Sequence, residues 1–500
     1  MLNLITSAQI RDADSHAISS KAISSLDLME LASLAFVSEF EKEVKNKEIP
    51  ISMYCGTGNN GGDGLAIARL LMADGYKNIR VKIVRLSDRS TDDFNANLER
   101  LQNSGIVVTG LSVDDLQKEQ SDIIIDALLG SGLNRPVIGD LKLIIEHLNN
   151  TGKKIISVDI PSGLPSEGII DMNAITIKAN LVISFQRPKI NFFFPESVVS
   201  LERFKVVPIG IDEDYIQSLS SHWKLIEEND VVQILKPRKP FTHKGTYGHA
   251  LIIAGSKETM GAALLCADAC LHSGAGLTTA CIPESGLIAL NTRTPEIMAL
   301  VRNENILPGT FDKYSAIAIG PGLGINGEAA NLLREVLASK HLPAVLDADA
   351  LTALSNNPEL FDQLHPMSIL TPHMKEFDRM FGEHTTWWER VETARKKASE
   401  FNVIILLKNQ YSFIVLPDGN VLINPTGNPA MAVGGMGDVL TGMITAFLAQ
   451  GYTSKDAAII ACYLHGKAGN QFRDEGMNSV LPRELVKRLP LVLNYATSDI

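Results

Sequence analysis

The sequence predicts an α/β protein divided into two domains, and three observations carry that reading. Short, continuous apolar runs recur between Gly-rich or polar turns and helix-like stretches, the pattern of strands buried on both faces of a parallel sheet. A polar segment, Asp212 to Asp230, followed by the Pro- and Lys-rich Lys236 to Pro240, interrupts this rhythm once and is expected to be a linker region. The chain has 500 residues, which at roughly 100 to 200 residues per domain suits two or three domains.

In the first domain, residues 1–220, strands are expected at Ile51 to Cys55, Val81 to Leu86, Ile123 to Ala127, Ile155 to Ile160 and Leu181 to Phe185, with helix-like segments between them. The first of these runs into a glycine-rich turn that opens a helix with apolar residues at Leu65, Ile67, Ala68, Leu70 and Leu71. The third ends at Asp126 before Gly130-Ser131-Gly132, and the fourth at Asp159 before Pro161-Ser162-Gly163. In the second domain, residues 221–500, strands are expected at Ala250 to Ala254, Leu277 to Ile282, Ala316 to Ile319, Ala344 to Leu346, Ser368 to Leu370, Val403 to Leu407 and Phe413 to Leu416. Helices fit Met260 to Ser273, Glu328 to Ser339, Trp388 to Glu400 and Asp438 to Gln450. No short-period repeat argues for a solenoid.

Composition narrows the partners. With 46 basic against 57 acidic residues the formal charge is -11, without the basic excess of a phosphate-backbone binder, so no nucleic-acid partner is expected. An anionic ligand would be held by local donors, at glycine-rich turns and helix N-termini. The five cysteines form no CxxC pair, and Cys266 and Cys270 share a helix face at i, i+4, so they read as buried thiols in a reducing, cytoplasmic setting. The N-terminus carries Arg11, Asp12 and Asp14 and no apolar run with a cleavage site, so no export is expected. Val439 to Ser454 falls short of a membrane span.

Five glycines between Gly56 and Gly64 permit close backbone approach after the first strand, and the helix beyond them offers unpaired N–H groups to a phosphate. The spacing does not match the dinucleotide fingerprint, and a plain strand-to-helix turn is the alternative. Three strand ends with glycines and acids are expected to line one crevice, where Asn, Asp and Ser oxygens also make a monovalent-cation site; each acid alone reads equally as a helix cap. The strings GTGNNGGDGL, DALLGSGL and VDIPSG resemble the YjeF N-terminal, NAD(P)H-hydrate epimerase family over roughly the first two hundred residues. That resemblance implies a Rossmann-like three-layer domain. It also implies that Asn59, Asn60, Gly61, Gly62 and Asp63, with Gly130, Ser131, Gly132, Leu133, Asn134, Arg135 and Pro136, hold the hydrated nicotinamide nucleotide. Asn60, Asp126 and Ser162 would coordinate potassium, and Asp159 would contact the substrate as the acid/base. Phe185 to Pro195 departs from the family, which has glycines there, but keeps Lys189.

In the second half, Gly434-Gly435-Met436-Gly437-Asp438 leads into a helix. Glycines at a helix N-terminus form an anion hole for a transferring phosphoryl group, and an Asp there takes a proton from an attacking hydroxyl, although a short GxGD also suits a plain N-cap. Gly320 to Gly324, Asp347 to Leu351 and Thr371-Pro372-His373 fall at further strand ends; a histidine there reads as structural or as a ligand contact. Trp387 and Trp388 read as helix packing.

In this order, these strings are similar to the ADP-dependent NAD(P)H-hydrate dehydratase family, ribokinase-like in fold, from about Lys244 to the end. The resemblance implies that Ala262, Gly322, His373 and Asp438 meet the hydrate, with Asp438 as base. Lys408, Asn409, Gln410, Tyr411, Ser412 and Gly437 would meet the adenine nucleotide, ADP being consumed to AMP and phosphate with magnesium. Both domains together imply a repair enzyme that epimerises R and S hydrates of NADH and NADPH and dehydrates the S form, and a homo-oligomer. Three departures stand out: Met436 where the family has a small hydroxyl residue, His373-Met374-Lys375-Glu376 in place of HPGE, and Lys408 to Ser412 as KNQYS. Two other readings remain at this point, a small-molecule kinase on the ribokinase-like fold and an epimerase with a non-catalytic nucleotide-binding domain.

Overall fold

The computed structural model describes residues 1–85, 89–116, 118–133, 135–302, 311–325, 327–339 and 342–497. The chain separates into two compact units, Asn3–Ser221 with Thr386–Trp388, and Met1–Leu2 with His222–Thr385 and Glu389–Ile500.

The first unit holds a seven-stranded, all-parallel sheet of β1 (Ile51–Cys55), β2 (Ile79–Val84), β3 (Val107–Leu111), β4 (Ile123–Ala127), β5 (Lys154–Val158), β6 (Leu181–Phe185) and β7 (Phe204–Val207), in the order β3-β2-β1-β4-β5-β6-β7. The order reverses between β1 and β4, whose register pairs Ile51 with Ile123 and Cys55 with Ala127. Such a switch point opens a crevice at the carboxyl ends of the strands. Helix α1 (Ser7–Lys21) starts at a capping box between Thr6 and Gln9. Helix α2 (Asn59–Ala73) lies hard on the switch point, because a Cβ on Gly64 would stand only 2.7 Å from both Ala127 Cβ and Cys55 Sγ. Here glycine sets the helix-to-sheet distance.

In the second unit the strands from Trp223 onward are β8 (Trp223–Leu225), β9 (His249–Ile253), β10 (Leu277–Ile282), β11 (Met298–Val301), β12 (Ala316–Ile319), β13 (Ala344–Leu346), β14 (Ile369–Leu370), β15 (Ile404–Leu407), β16 (Ser412–Val415) and β17 (Val421–Asn424). They order as β8-β17-β16-β15-β14-β13-β12-β9-β10-β11, parallel except where β16 meets its two neighbours. The switch point lies between β9 and β12. Helix α3 (Met260–His272) packs beside a later helix, Met436–Ala449, in an apolar core that includes Ala263, Cys266, Val439 and Met443. A Cβ on Gly442 would fall 2.0 Å from Cys266 O, so the two backbones touch there. Gly442→Ala is therefore expected to destabilise this unit by about 1–3 kcal/mol in urea unfolding, even after the helix-propensity gain of about 1 kcal/mol.

The expected linker is corrected by the structure. Within 212–240 lie a helix at Glu213–Ser218, strand β8 paired with β17, and a helix at Glu228–Ile234. Ile216, Trp223, Ile226, Val231 and Leu235 are buried, and these apolar residues were masked in the sequence by the charges between them. Strands β3, β7, β11 and β17 went unread as well; β3 is an edge strand with an exposed Val107 and no buried face. Val81 to Leu86 is observed as Ile79–Val84, and Leu86 lies outside the described residues. All five cysteines are free and buried. Among the described residues no helix is long and apolar enough to cross a membrane.

Candidate functional site

At the carboxyl ends of β1, β4 and β5 the first unit encloses a cavity of about 540 Å³. Its lining brings together Asn59, Asn60, Asp63, Gly130, Ser131, Gly132, Leu133, Arg135 and Asp159, so the three strand ends do meet in one crevice. Gly61, Gly62 and Pro136 are not in that lining, and Asn134 lies outside the described residues. Gly61 and Gly62 are packing residues here. A Cβ on Gly61 would strike Gly56 O at 1.9 Å, and one on Gly62 would reach Met29 Sδ at 2.9 Å.

Asp159 follows β5 with φ of 65°, in the left-handed region, although it is not glycine. The arrangement is held by three donors to one oxygen: Lys189 Nζ at 2.7 Å, Phe185 N at 2.9 Å and Ser184 Oγ at 3.3 Å all reach Oδ1. Among the described residues no donor reaches Oδ2. Lys189 is itself buried, with its side chain 2% exposed. The loop that carries it is anchored by Phe192 and Phe193, both buried and packed on Phe204, so the departure from a glycine-rich loop replaces flexibility with apolar packing. Strain at an acid inside a cavity is a common signature of function.

Below this cavity Asp126 is fully buried. Its carboxylate accepts from Ser162 Oγ at 2.6 Å, Ser157 Oγ at 2.7 Å, Ser162 N at 2.9 Å and Leu128 N at 3.2 Å. All four donors are neutral, and burial pushes the carboxyl up from its ordinary range against those bonds. Asn60 Nδ2 donates to Leu129 O at 3.0 Å, and Leu129 N donates to Ser162 Oγ at 2.8 Å. Asn60, Asp126 and Ser162 are thus gathered with a backbone carbonyl, a set of hard oxygens around one uncompensated negative charge, which fits a cation. No group of three or more His, Cys, Asp or Glu among the described residues is placed to hold a metal ion.

Two other acids share the first cavity. Burial, and then the charge of Asp159, push the Asp14 carboxyl up to about 6 against the opposing pull of Lys189. Asp63 is pushed well above the carboxylate range, by burial first and then by Asp159, Asp14 and Asp93. Asp14 had only registered in the sequence as an N-terminal charge. The available signal was helical spacing: Ile10, Ala13 and Asp14 fall on one face of α1, and all three line the cavity.

In the second unit a cavity of about 730 Å³ is lined by His373, Lys408, Asn409, Gln410, Ser412 and Gly437, while Tyr411, Ala262, Gly322 and Asp438 are not in the lining. His373 caps α4 (Met374–Phe381), its Nδ1 accepting from Lys375 N at 3.1 Å and Glu376 N at 3.3 Å, with Glu376 Oε2 accepting from His373 N at 2.9 Å. The cap directs an imidazole that also borders the cavity. Lys408 Nζ donates to Asp347 Oδ1 at 2.7 Å, and Thr441 Oγ1 to Asp347 Oδ2 at 2.7 Å. Ala348, at φ 49°, turns the chain so that the next acid, Asp349, accepts from Gly324 N at 2.8 Å. Ala262 and Gly322 adjoin, since a Cβ on Gly322 would lie 2.9 Å from Ala262 Cβ.

Helix α5 (Met436–Ala449) begins after Gly435 at φ 98°, two residues ahead of Asp438, and its first turn leaves N–H groups without intrahelical partners. Burial pushes the Asp438 carboxyl up to about 7, with Asp347 and Asp349 adding to the rise and Lys408 opposing it. Met436 is 7% exposed, packs into the core and also borders the cavity, while the backbone donors of the first turn stay in place. His465, missed in the sequence, lines the same cavity; burial pushes its imidazole down to about 4, and Nε2 has no partner among the described residues.

Residues 250–491 match the family described as NAD(P)H-hydrate dehydratase, and 25–191 match the YjeF-related protein N-terminus. The chain is 33% identical to the bifunctional NAD(P)H-hydrate repair enzyme Nnr of Moorella thermoacetica over 99% of this chain and 98% of that protein. It is 32% identical to that of Thermofilum pendens over 98% and 96%. Among solved structures it is similar to an ADP/ATP-dependent NAD(P)H-hydrate dehydratase from Bacillus subtilis co-crystallised with ATP and Mg²⁺, at 34% identity, TM-score 0.50, over 55% of this chain and 98% of that one. A ribokinase-like superfamily protein from Enterococcus faecalis matches at 28% identity and TM-score 0.51, over 56% and 98%.

Proposed function

The chain belongs to the family of bifunctional NAD(P)H-hydrate repair enzymes, and from that premise we propose which residues of its epimerase and ADP/ATP-dependent dehydratase domains do the work. The observation that supports these roles is that each unit has its own cavity with an acid in an unusual state at or next to its lining: Asp159, strained, in the first, and Asp438, raised to about 7, adjacent to Gly437 of the second.

In the first cavity Asp159 exchanges protons with the hydrated nicotinamide ring, while Asn59, Asn60, Asp63 and the Gly130–Arg135 loop hold the nucleotide. Asn60, Asp126, Ser162 and the Leu129 carbonyl would hold potassium, whose positive charge would compensate buried Asp126 and fix the loop that carries Leu129. Exchanging potassium for tetramethylammonium is expected to slow epimerisation about 10-fold or more and to leave dehydration of the pure S epimer unchanged. Equal rates in both salts would remove the cation from the site.

In the second cavity Lys408 and its neighbours Asn409, Gln410 and Ser412 hold the adenine nucleotide, with Gly437 at the phosphate. Ala262, Gly322 and His373 orient the hydrate. Magnesium with the nucleotide would neutralise phosphate charge during transfer. Asp438 takes the proton of the hydrate's hydroxyl as that oxygen attacks the terminal phosphoryl group, and the α5 N-terminus stabilises the developing charge. Departure of phosphate breaks the C–O bond, and loss of a proton from the neighbouring carbon restores the ring double bond. With ADP the products are NAD(P)H, AMP and phosphate. A homo-oligomer, testable by light scattering, and a cytoplasmic setting suited to five reduced thiols complete the proposal.

The test supplies purified protein with mixed R and S NADH hydrates, with and without ADP, ATP and magnesium, following absorbance at 340 nm and the epimer ratio. Complete nucleotide-dependent recovery of NADH is expected. Recovery that stops when the S form is exhausted would remove the epimerase assignment, and a stable phosphorylated product would make the second domain a kinase.

A further inference from the structure

Hydration of the dihydropyridine's enamine places a hydroxyl on the carbon next to the ring nitrogen, so the substrate is a carbinolamine. Inverting that carbon through a C=N⁺ intermediate calls for an acid that helps the hydroxyl leave from one face and a base that takes a proton from water arriving at the other. One carboxyl group does not serve both faces at once. The first cavity therefore calls for a second proton carrier besides Asp159.

We propose that Asp14 is that second catalytic acid/base, a role that rests on the reading of this cavity as the epimerisation site. Four observations carry it. Ile10, Ala13 and Asp14 present one face of α1 to the cavity, with Ala13 and Ala17 buried beneath, so the acid is aimed by a capped helix rather than by a loose terminus. No hydrogen-bond donor among the described residues reaches the Asp14 carboxyl, whereas Asp159 and Asp126 each accept at least three bonds. Asp159, Lys189 and Asp63 act on it or on each other electrostatically within this one cavity. Burial and Asp159 hold it at about 6, where protonated and ionised forms both exist near neutral pH.

The charged groups around Asp14 are Asp159 after β5, Lys189 after β6 and Asp63 on α2. Arg11 on its own helix, Arg135 and Arg187 also line the cavity, Arg187 being held by Glu213. Lys189 is bonded to Asp159, and among the described residues neither Asp14 nor Asp63 has a cation bonded to it; of these two, Asp14 is the one that Lys189 draws on electrostatically.

Asp14 gives its proton to the hydroxyl oxygen, the C–O bond breaks, water departs, and the ring-nitrogen lone pair forms a C=N⁺ bond. Water then adds to the opposite face, its oxygen bonding to the same carbon as the nitrogen recovers its lone pair, and its proton passes to the Asp159 carboxylate. The two acids have exchanged protonation states, which prepares the site for the reverse conversion or for proton return through solvent.

The experiment measures R-to-S interconversion by chromatography, with the full chain and potassium, from pH 5 to 9, for wild type, Asp14→Asn and Asp14→Glu. Asp14→Asn is expected to lower kcat about 100-fold or more with KM within about 3-fold, and to remove the fall in kcat/KM expected of wild type above about pH 6. Asp14→Glu should restore much of the rate and a titrating limb at a shifted pH. A wild-type limb that survives in Asp14→Asn, with kcat within about 3-fold, would overturn the proposal. So would a loss of rate in both variants that tracks lowered melting temperature or raised KM, the mark of a structural role. Absence of interconversion in wild type would instead overturn the epimerase reading, a distinguishable result.

Discussion

Asp438→Asn is expected to abolish nucleotide-dependent recovery of NADH from the pure S hydrate, by about 100-fold to 10,000-fold in kcat, while epimer interconversion proceeds at the wild-type rate. The side chain keeps its size, so the α5 N-terminus and the Asp347–Lys408 pair stay in place and only the proton acceptor is lost. The wild-type pH profile supplies a second arm. Asp438 acts as a base only when ionised, and burial among Asp347 and Asp349 holds it at about 7, so dehydration should rise with pH through that value and level off above it.

Stability should move the other way. A carboxyl whose folded pKa is raised from 3.8 to about 7 binds its proton more tightly in the folded state, so this group costs stability progressively as pH rises from about 4 to 7 and by a constant amount above. Asp438→Asn is accordingly expected to melt higher than wild type at pH 8 and to converge with it near pH 4. An inactive variant that also melts lower at pH 8 would mean a structural defect, and an active one would remove Asp438 as the base.

What the sequence made visible and what it hid follow one physical division. The glycine loops and strand-end acids are local: Gly56 to Gly64 sits where a strand hands over to a helix, Asp126 and Asp159 lie at strand ends, Gly434 to Asp438 opens a helix, and close backbone approach demands glycine at Gly56, Gly61 and Gly64. Partners from distant elements are not local. Lys189 reaches Asp159 from beyond β6, Asp14 arrives on a helix near the N-terminus, Thr441 reaches Asp347 from α5, and His465 enters the nucleotide cavity from a helical face that looks apolar in sequence. Gly61 and Gly62 show the same close approach, their Cβ positions being occupied by Gly56 and Met29. The polar stretch from Asp212 to Asp230 shows the converse, a charged surface over buried Ile216, Trp223 and Val231.

Replacing Asp159 has the largest expected effect in the first domain, and its interpretation turns on Lys189. Asp159→Asn removes the acid/base, so interconversion should fall about 100-fold to 10,000-fold while ADP-dependent dehydration of pure S epimer continues unchanged. It also strips a 2%-exposed ammonium of the carboxylate bonded to it at 2.7 Å. Breaking such a buried pair from one side costs about 3–5 kcal/mol, enough to confuse lost chemistry with lost folding. The double variant Asp159→Asn with Lys189→Met separates them, because removing both charges relieves the unpaired ammonium and leaves an amide oxygen to accept from Phe185 N and Ser184 Oγ. If Asp159 is the acid/base, the double variant melts well above the single one and is just as inactive. If interconversion returns along with the melting temperature, the carboxylate is a counter-ion that keeps Lys189 folded into place, and the proton chemistry belongs to the other acids of the cavity.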